Sequence, residues 1–271
     1  MTTFCIGDVH AQLKKLDQLL CRLDTIDASA EIWFVGDLIN RGPDSAGVLR
    51  RVRQLGERAH VVLGNHDLTV LATAADTDKQ TKVDTGVLDL LSSDDANDLL
   101  NWLRYRPLIH DRPDLEWIMV HAGIPGCWDL TEAKMHAREF ENGLRSPDWM
   151  HLFKQLFGNE PSTWPQARGQ VERNRYIANA LTRQRFCEST SGVLNMEYKK
   201  TVAAAPNGLV PWFAAKDRRN RDHPIVFGHW AALGRIAWPE HNVWCVDTGA
   251  SWGGPLTAIE LEGQSVIYSV R

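Results

Sequence analysis

Three short apolar runs in the first quarter of the chain each end on a glycine that is followed by an acidic or amide residue. Residues 3–6 lead into Gly7-Asp8, residues 31–35 into Gly36-Asp37, and residues 60–63 into Gly64-Asn65. The runs are rich in Ile, Val, Phe and Trp and too short for helices, so they read as strands. Asp8, Asp37 and Asn65 stand 29 and 28 residues apart, which is room for a strand, a helix and two turns in each interval. The intervals carry the helices: Leu13, Leu16, Leu19, Leu20 and Leu23 recur at helical spacing, as do Val48, Leu49, Val52 and Leu55 after Pro43. This pattern predicts β-α-β-α-β with parallel neighbours. Its polar turns collect at the carboxyl ends of the strands, where open α/β sheets bind ligands.

Residues 76–106 look helical and inserted; Ser92 or Ser93 can cap a helix with Leu99, Leu100, Trp102 and Leu103 on its apolar face, stopped by Pro107. A strand over 117–120 then delivers His121. From about 128 to 200 the chain reads as helical or irregular, a candidate substrate cap, and strand-like runs return at 225–227, 243–246, 256–261 and 265–270. With 271 residues, 44% of them hydrophobic, one large α/β domain with an insertion can bury a full core.

Charge and cysteine usage exclude some classes. A net charge of −4 argues against a general nucleic-acid-coating role, which needs a basic footprint over much of the surface; a locally basic cleft remains compatible. Cys5, Cys21, Cys127, Cys187 and Cys245 are an odd count without close pairs, which suits thiols in a reducing compartment, as buried small hydrophobes, better than a disulfide framework. No run approaches the ~18 apolar residues of a membrane span, and the first motif begins too early to leave room for a signal peptide. The expectation is a cytoplasmic protein without a membrane partner. Its oligomeric state leaves no trace in the sequence.

The residues after the strands are metal-ligand types. Asp8 and His10 flank Val9, so on a strand end they point to the same side and can grip one ion together. Asp37 arrives from the neighbouring strand, and a carboxylate with two oxygens can bridge two ions, with Asn65, His121 and His229 completing a second site. Two divalent ions side by side clamp the attacking and leaving oxygens of a phosphoryl displacement and acidify a water nucleophile, with no covalent enzyme intermediate. Taken singly, His121 or His229 is more often a core or surface histidine than a ligand, and Gly-Asp pairs are common. The ordered set of three turns at βα spacing is hard to obtain by chance.

Gly7-Asp8-Val9-His10, Gly36-Asp37 with Asn40-Arg41-Gly42, Gly64-Asn65-His66-Asp67, His121-Ala122-Gly123 and Gly228-His229 together resemble the metallophosphoesterase motifs shared with protein serine/threonine phosphatases. Further segments are similar to the symmetrical bis(5′-nucleosyl)-tetraphosphatases: 99–104, 179–183 with 185–187, 211–213, 227–230, and 247–249 through 252–254. The resemblance covers nearly the whole chain, and 179–187 is its most specific part. It implies an α/β fold, a β-sandwich of two mixed sheets flanked by helices, and cleavage of the central anhydride of a dinucleoside tetraphosphate to two nucleoside diphosphates. It also implies two divalent ions, Mn²⁺ or Co²⁺, held by Asp8, His10, Asp37, Asn65, His121 and His229. RNA carrying a nucleoside-tetraphosphate cap would present the same chemistry.

Two departures from the family pattern carry physical content. Ala11 stands where relatives commonly have glycine, which predicts φ below zero there, since alanine avoids positive φ. Asn40 stands where protein phosphatases place an Asp beside the catalytic histidine. Asn40 can accept a hydrogen bond from His66 but offers it no charge, so His66 should hold its proton less firmly than beside a carboxylate. That suits an anhydride, whose phosphate leaving group needs far less protonation than a serine alkoxide. His66 is accordingly the candidate general acid or transition-state donor; the bland alternative is a solvent-facing histidine at a helix start.

Cations and aromatic faces complete the expectation. Arg41 is the candidate for holding the reacting phosphoryl group, because a guanidinium fork matches two phosphate oxygens, and Arg183 and Arg185 are candidates for the other phosphates. The basic run Lys216, Arg218, Arg219, Arg221 reads as an exposed loop. Eight of the eleven tryptophans follow residue 125; most are core, and Trp128, Trp212, Trp230 or Trp252 could stack an adenine, with Trp212 placed in the candidate site. The nearest rival reading is a protein serine/threonine phosphatase, against which Asn40 and the 128–200 insertion speak. A non-catalytic scaffold would have lost ligands, and none is missing.

Overall fold

The computed structural model describes residues 2–76, 83–263 and 267–271. Residues 77–82 of the expected helical insertion, and residues 265 and 266 of the expected last strand, lie outside them. Along the chain run β1 (Thr3–Ile6), α1 (Leu13–Asp24), β2 (Glu31–Phe34), α2 (Ser45–Gln54), β3 (Ala59–Val61), α3 (Asn65–Ala75), α4 (Thr85–Leu91) and α5 (Ala96–Arg104). Next come β4 (Ile109–Arg112), β5 (Trp117–Val120), α6 (Leu130–Arg145), α7 (Trp149–Leu152), α8 (Gln170–Thr182), β6 (Phe186–Glu188), β7 (Leu194–Asn195) and β8 (Leu209–Pro211). The last elements are β9 (Ile225–Phe227), β10 (Ala237–Trp238), β11 (Val243–Cys245), β12 (Leu256–Glu260) and β13 (Ile267–Val270). The chain forms two compact units, one of residues up to Arg106 with Val246–Arg271, the other Pro107–Cys245.

The first unit holds a mixed sheet in the order β13-β12-β1-β2-β3. β1, β2 and β3 are parallel, in the β-α-β-α-β arrangement that the glycine-ended runs predict, while β12 and β13 are antiparallel. Helix α1 forms because Leu16, Leu19, Leu20 and Leu23 recur as one apolar stripe, and all four are fully buried. Helix α2 starts where the Asp44 carboxylate accepts the Gly47 amide at 2.7 Å. Neither Ser92 nor Ser93 caps α5: its first position follows Asp95, and the Ser93 hydroxyl instead donates to the Leu90 carbonyl at 2.8 Å.

The second unit holds a mixed sheet in the order β10-β11-β9-β5-β4, parallel at its centre with antiparallel edges. The expected helical stretch contains α6 to α8. Helix α6 begins with a reciprocal cap, Glu132 amide to Asp129 carboxylate at 2.9 Å and Asp129 amide to Glu132 carboxylate at 3.0 Å. A small antiparallel sheet, β7-β6-β8, follows, where sequence periodicity shows nothing, because two- and three-residue strands are too short to display it. All five cysteines are thiols; Cys5, Cys187 and Cys245 are buried as expected, but Cys21 and Cys127 are exposed.

Candidate metal centre

In the first unit, the turns after β1, β2 and β3 converge at one end of three adjacent strands. Asp8, His10 and Asp37 are buried, at 2%, 6% and 1% exposure. His10 Nε2 lies 3.7 Å from Asp8 Oδ2 and 3.8 Å from Asp37 Oδ2. Side-chain donor atoms of His10, Asp37 and His66 fall within 4.8 Å of one another. Asn65 and His66 open α3 and are half-buried.

The convergence is held by a further acidic residue of the Gly64–Asp67 motif. Asp67 is fully buried, and its carboxylate accepts three backbone amides: Asp37 at 2.8 Å, Leu38 at 3.0 Å and Gly64 at 2.9 Å. It thus caps α3 and fastens the β2 turn to the β3 turn with charge-assisted bonds. The available signal was its place three residues after Gly64, where an acidic side chain reaches back to a helix start. Asp37 is oriented in turn by the His66 amide, which donates to Oδ1 at 2.7 Å. Gly64 has no alternative residue: a Cβ there would sit 2.1 Å from Asp37 Oδ1.

The same turns hold strained backbone. His10, Ala11, Asp37, Asn40 and Arg41 adopt φ of 48°, 57°, 50°, 72° and 72°, each costing on the order of 1–3 kcal/mol for a non-glycine residue. The expected negative φ at Ala11 is therefore wrong. The reason is tertiary: the His10 and Ala11 amides donate to the Asp37 and Leu38 carbonyls, both at 2.8 Å, and the Asp44 amide donates to the Ala11 carbonyl at 3.2 Å. These bonds hold the β1 turn in a shape that alanine alone avoids.

Asn40 touches His66, but with the opposite polarity from the expected one. The Arg41 amide donates to Asn40 Oδ1 at 2.8 Å, so the carboxamide oxygen faces the backbone and its nitrogen lies 3.1 Å from His66 Nδ1. An amide NH₂ can only donate, so Nδ1 accepts and the neutral imidazole carries its proton on Nε2. Asn40 therefore selects the tautomer of His66. The Arg41 amide also donates to Asp84 at 3.0 Å. The exposed Arg41 guanidinium stands 5.4 Å from the ring centre of Trp252, which is 72% exposed. Trp252 ends a turn that Lys15 fastens, donating to the Ala250 and Gly254 carbonyls at 2.9 and 2.8 Å.

In the second unit, the parallel neighbours β5 and β9 end in His121 and Gly228-His229, and the Gly228 amide donates to the His121 carbonyl at 2.8 Å. The two imidazoles lie 5.2 Å apart between ring centres. His229, at φ 64°, places Nε2 3.1 Å from the Arg183 carbonyl. A carbonyl only accepts, so Nε2 is the protonated nitrogen and Nδ1 presents the lone pair, the arrangement in which an outer hydrogen bond orients a ligand histidine. Arg185 Nη2 donates to the His229 carbonyl at 3.0 Å.

Two expected substrate contacts are placed otherwise. The Arg183 guanidinium donates to Gly158, Asn159 and Asn179 oxygens at 3.2, 3.1 and 2.6 Å, and burial lowers its pKa. It braces the end of α8, and only its backbone carbonyl reaches His229. Trp212 is 1% exposed; its ring lies against Gly123, where an added Cβ would come within 2.4 Å of it. It offers no face to a base. Trp128 and Trp230, at 1% and 2% exposure, are core as well, leaving Trp252 as the accessible member of the four.

A family model described as calcineurin-like phosphoesterase matches residues 1–252. A symmetrical bis(5′-nucleosyl)-tetraphosphatase from Janthinobacterium sp. (strain Marseille) is 43% identical over 267 residues, covering 98% of this chain and 95% of that protein. The protein of the same name from Cellvibrio japonicus (strain Ueda107) is 44% identical, covering 98% of both. Among solved structures, one assigned as a diadenosine tetraphosphatase superposes with a TM-score of 0.65 at 23% identity, over 99% of this chain and 92% of its own. A protein serine/threonine phosphatase from Saccharomyces cerevisiae gives a TM-score of 0.57 at 13% identity, over 100% and 80% respectively. Both structures share the fold.

Proposed function

The chain belongs to the calcineurin-like phosphoesterases, among the symmetrical bis(5′-nucleosyl)-tetraphosphatases, and on that premise we propose how its own residues carry the reaction. It is a metal-dependent hydrolase that splits the central phosphoanhydride of diadenosine tetraphosphate into two ADP. The observation that carries the residue assignments is the convergence of Asp8, His10, Asp37 and His66 at the ends of three adjacent strands.

These residues fit divalent ions: carboxylate and imidazole donors lie in one buried cluster, the mixed oxygen and nitrogen set that such ions prefer. We assign Asp8, His10 and Asp37 to one ion, Mn²⁺ or Co²⁺, and Asp37, Asn65, His121 and His229 to a second. When bound, the ions supply Lewis acidity and a water acidic enough to attack phosphorus at neutral pH. His66, protonated on Nε2, donates to the phosphoryl oxygens as charge builds on them or on the leaving phosphate. Arg41 holds the reacting phosphoryl group through its guanidinium fork. Arg185 steadies His229 from behind, and Arg183, expected at the phosphates, acts as a brace. Trp252 receives an adenine on its exposed face beside Arg41.

The 128–200 segment serves as the substrate cap, an assignment supported by the end of α8 reaching His229. RNA with a 5′ nucleoside-tetraphosphate cap falls within the same substrate class, since the scissile anhydride is unchanged. We place the protein in the cytoplasm, where its thiols would stay reduced; no helix among the described residues is long and apolar enough to cross a membrane.

Incubation with diadenosine tetraphosphate and Mn²⁺, with a chelator control, tests the reaction. ADP as sole nucleotide product, abolished by chelation, is expected. ATP plus AMP would mean attack at an outer phosphorus and would overturn the assigned geometry, and turnover of a phosphopeptide in place of the dinucleotide would favour the phosphatase reading.

A further inference from the structure

The basic run that reads as a solvated loop in the sequence is not solvated throughout. Arg218 is 3% exposed. Its Nη2 donates to the His241 carbonyl and its guanidinium lies 5.3 Å from the Trp212 ring centre, while Nη1 is buried with no hydrogen-bond partner. Among the described residues no carboxylate forms an ion pair with it. Burial, reinforced by the positive charge of Arg221, pushes its pKa down to about 10, so it is still a cation at neutral pH. The nearby Asp222 carboxylate offsets this only in part; a buried charge without an ion-pair partner is among the costlier features a fold can carry, and an orphaned donor on it calls for an acceptor.

Beside this guanidinium is a cavity of about 300 Å³, lined by Lys216, Arg218, Arg221, Asp222, Glu240 and His241 among others. Arg221 is tied in place, donating to the Lys216 and Arg218 carbonyls. Three cations face two carboxylates, so the cavity keeps an excess of positive charge. Its walls precede β9 and β11, at the amino ends of these strands, whereas His229 follows the carboxyl end of β9. The cavity is therefore separate from the histidine pair by the length of the strand.

We propose that this cavity is a second anion site, taking a tetrahedral oxyanion of the phosphate class, with Arg218 Nη1 as its buried donor and Lys216 and Arg221 as its outer cations. The ligand is either free phosphate or the terminal phosphate of a nucleotide such as the ADP product. The proposal does not depend on the reaction assigned above.

Thermal unfolding of the full chain tests it, with sulfate as the tetrahedral probe and ADP as the nucleotide probe. Low-millimolar sulfate should raise the unfolding temperature of the wild type saturably, by linkage. Arg218→Met should lose that dependence while unfolding at the same or a higher temperature in sulfate-free buffer, because a buried charge is gone; Lys216→Gln should shift the response to higher sulfate. If ADP acts at lower concentration than sulfate and that action also needs Arg218, the ligand is a nucleotide phosphate. If only the sulfate response needs Arg218, it is free phosphate. An identical sulfate response in Arg218→Met, or none in the wild type, overturns the site. Should Arg218→Met fail to fold, an unchanged sulfate response in the Lys216→Gln, Arg221→Gln double variant overturns it equally.

Discussion

The two sets of candidate site residues are built in opposite ways. Asp8, His10, Asp37 and His66 stand on consecutive strand ends of one unit, and Asp67 fastens two of their turns with three amide bonds. His121 and His229 are separated by more than a hundred residues of chain. They meet because β5 and β9 are neighbours, and His229 is oriented by carbonyl and guanidinium groups from the end of α8 and the residues after it. The first set depends on local motifs locked by a buried carboxylate; the second depends on a distant helix end. A strained cluster locked by one buried carboxylate should tolerate damage poorly, and a set oriented from a distant helix end should degrade by degrees.

Asp37→Ala is the harshest test of that contrast. It should lower kcat by about a thousandfold or more, roughly 4 kcal/mol of transition-state stabilisation, and by more than His229→Ala; near-normal turnover in Asp37→Ala with a dead His229→Ala would reverse the comparison. Asp67→Ala comes next, although Asp67 faces the backbone. Losing three buried charge-assisted bonds should cost several kcal/mol of stability, and disordering both turns should cost about 10- to 100-fold in activity; calorimetry and steady-state rates on the same preparation separate the two. Trp252→Ala should leave kcat nearly intact and raise KM about tenfold, as befits a stacking contact of about 1–3 kcal/mol; a fall in kcat at constant KM would remove it from the base site. Asn179→Ala removes the acceptor of one Arg183 bond, worth about 1.5–3 kcal/mol for a charged donor, and the donor to the Gly158 carbonyl, yet leaves Arg183 its Gly158 and Asn159 partners, so kcat should fall only a few-fold, and a collapse of activity would show the second set to be as brittle as the first.

The smallest effect lies away from either set. His136 is buried between Trp128 and Trp164 at 4.7 and 4.2 Å between ring centres, and burial, with the charge of Arg173, lowers its pKa below the usual histidine value. Below pH ~6.5 the unfolded chain then binds more protons at this residue than the folded chain, so stability should rise with pH up to about 6.5 and level off above. His136→Phe should flatten that slope in chemical denaturation without altering turnover. A slope unchanged by the substitution would assign it to other groups.

The parallel βαβαβ core was legible because its strands are short apolar runs ended by glycine, its helices carry a clean period of 3.6, and each polar residue follows its strand directly. The second unit was less so: β6, β7 and β8 are too short for any period, and the edge strands β4 and β10 carry no distinctive pattern. Arg183 and Trp212 show the same limit at side-chain level. Their motif positions were visible, but a guanidinium bracing a loop and an indole covering a glycine are decided by neighbours far along the chain. Asp67 is the converse case, a residue inside a recognised motif whose three partners only the folded turns reveal.

By itself the sequence determined the order of elements in the first unit, the family, and the ligand types available, since these follow from local spacing and residue chemistry. Tertiary structure alone decided the left-handed backbone at Ala11, the direction of the Asn40 amide and hence the His66 tautomer, and the burial of Arg218. Each is a choice between local states separated by only a few kcal/mol, and hydrogen bonds and packing from remote segments are large enough to reverse the local preference.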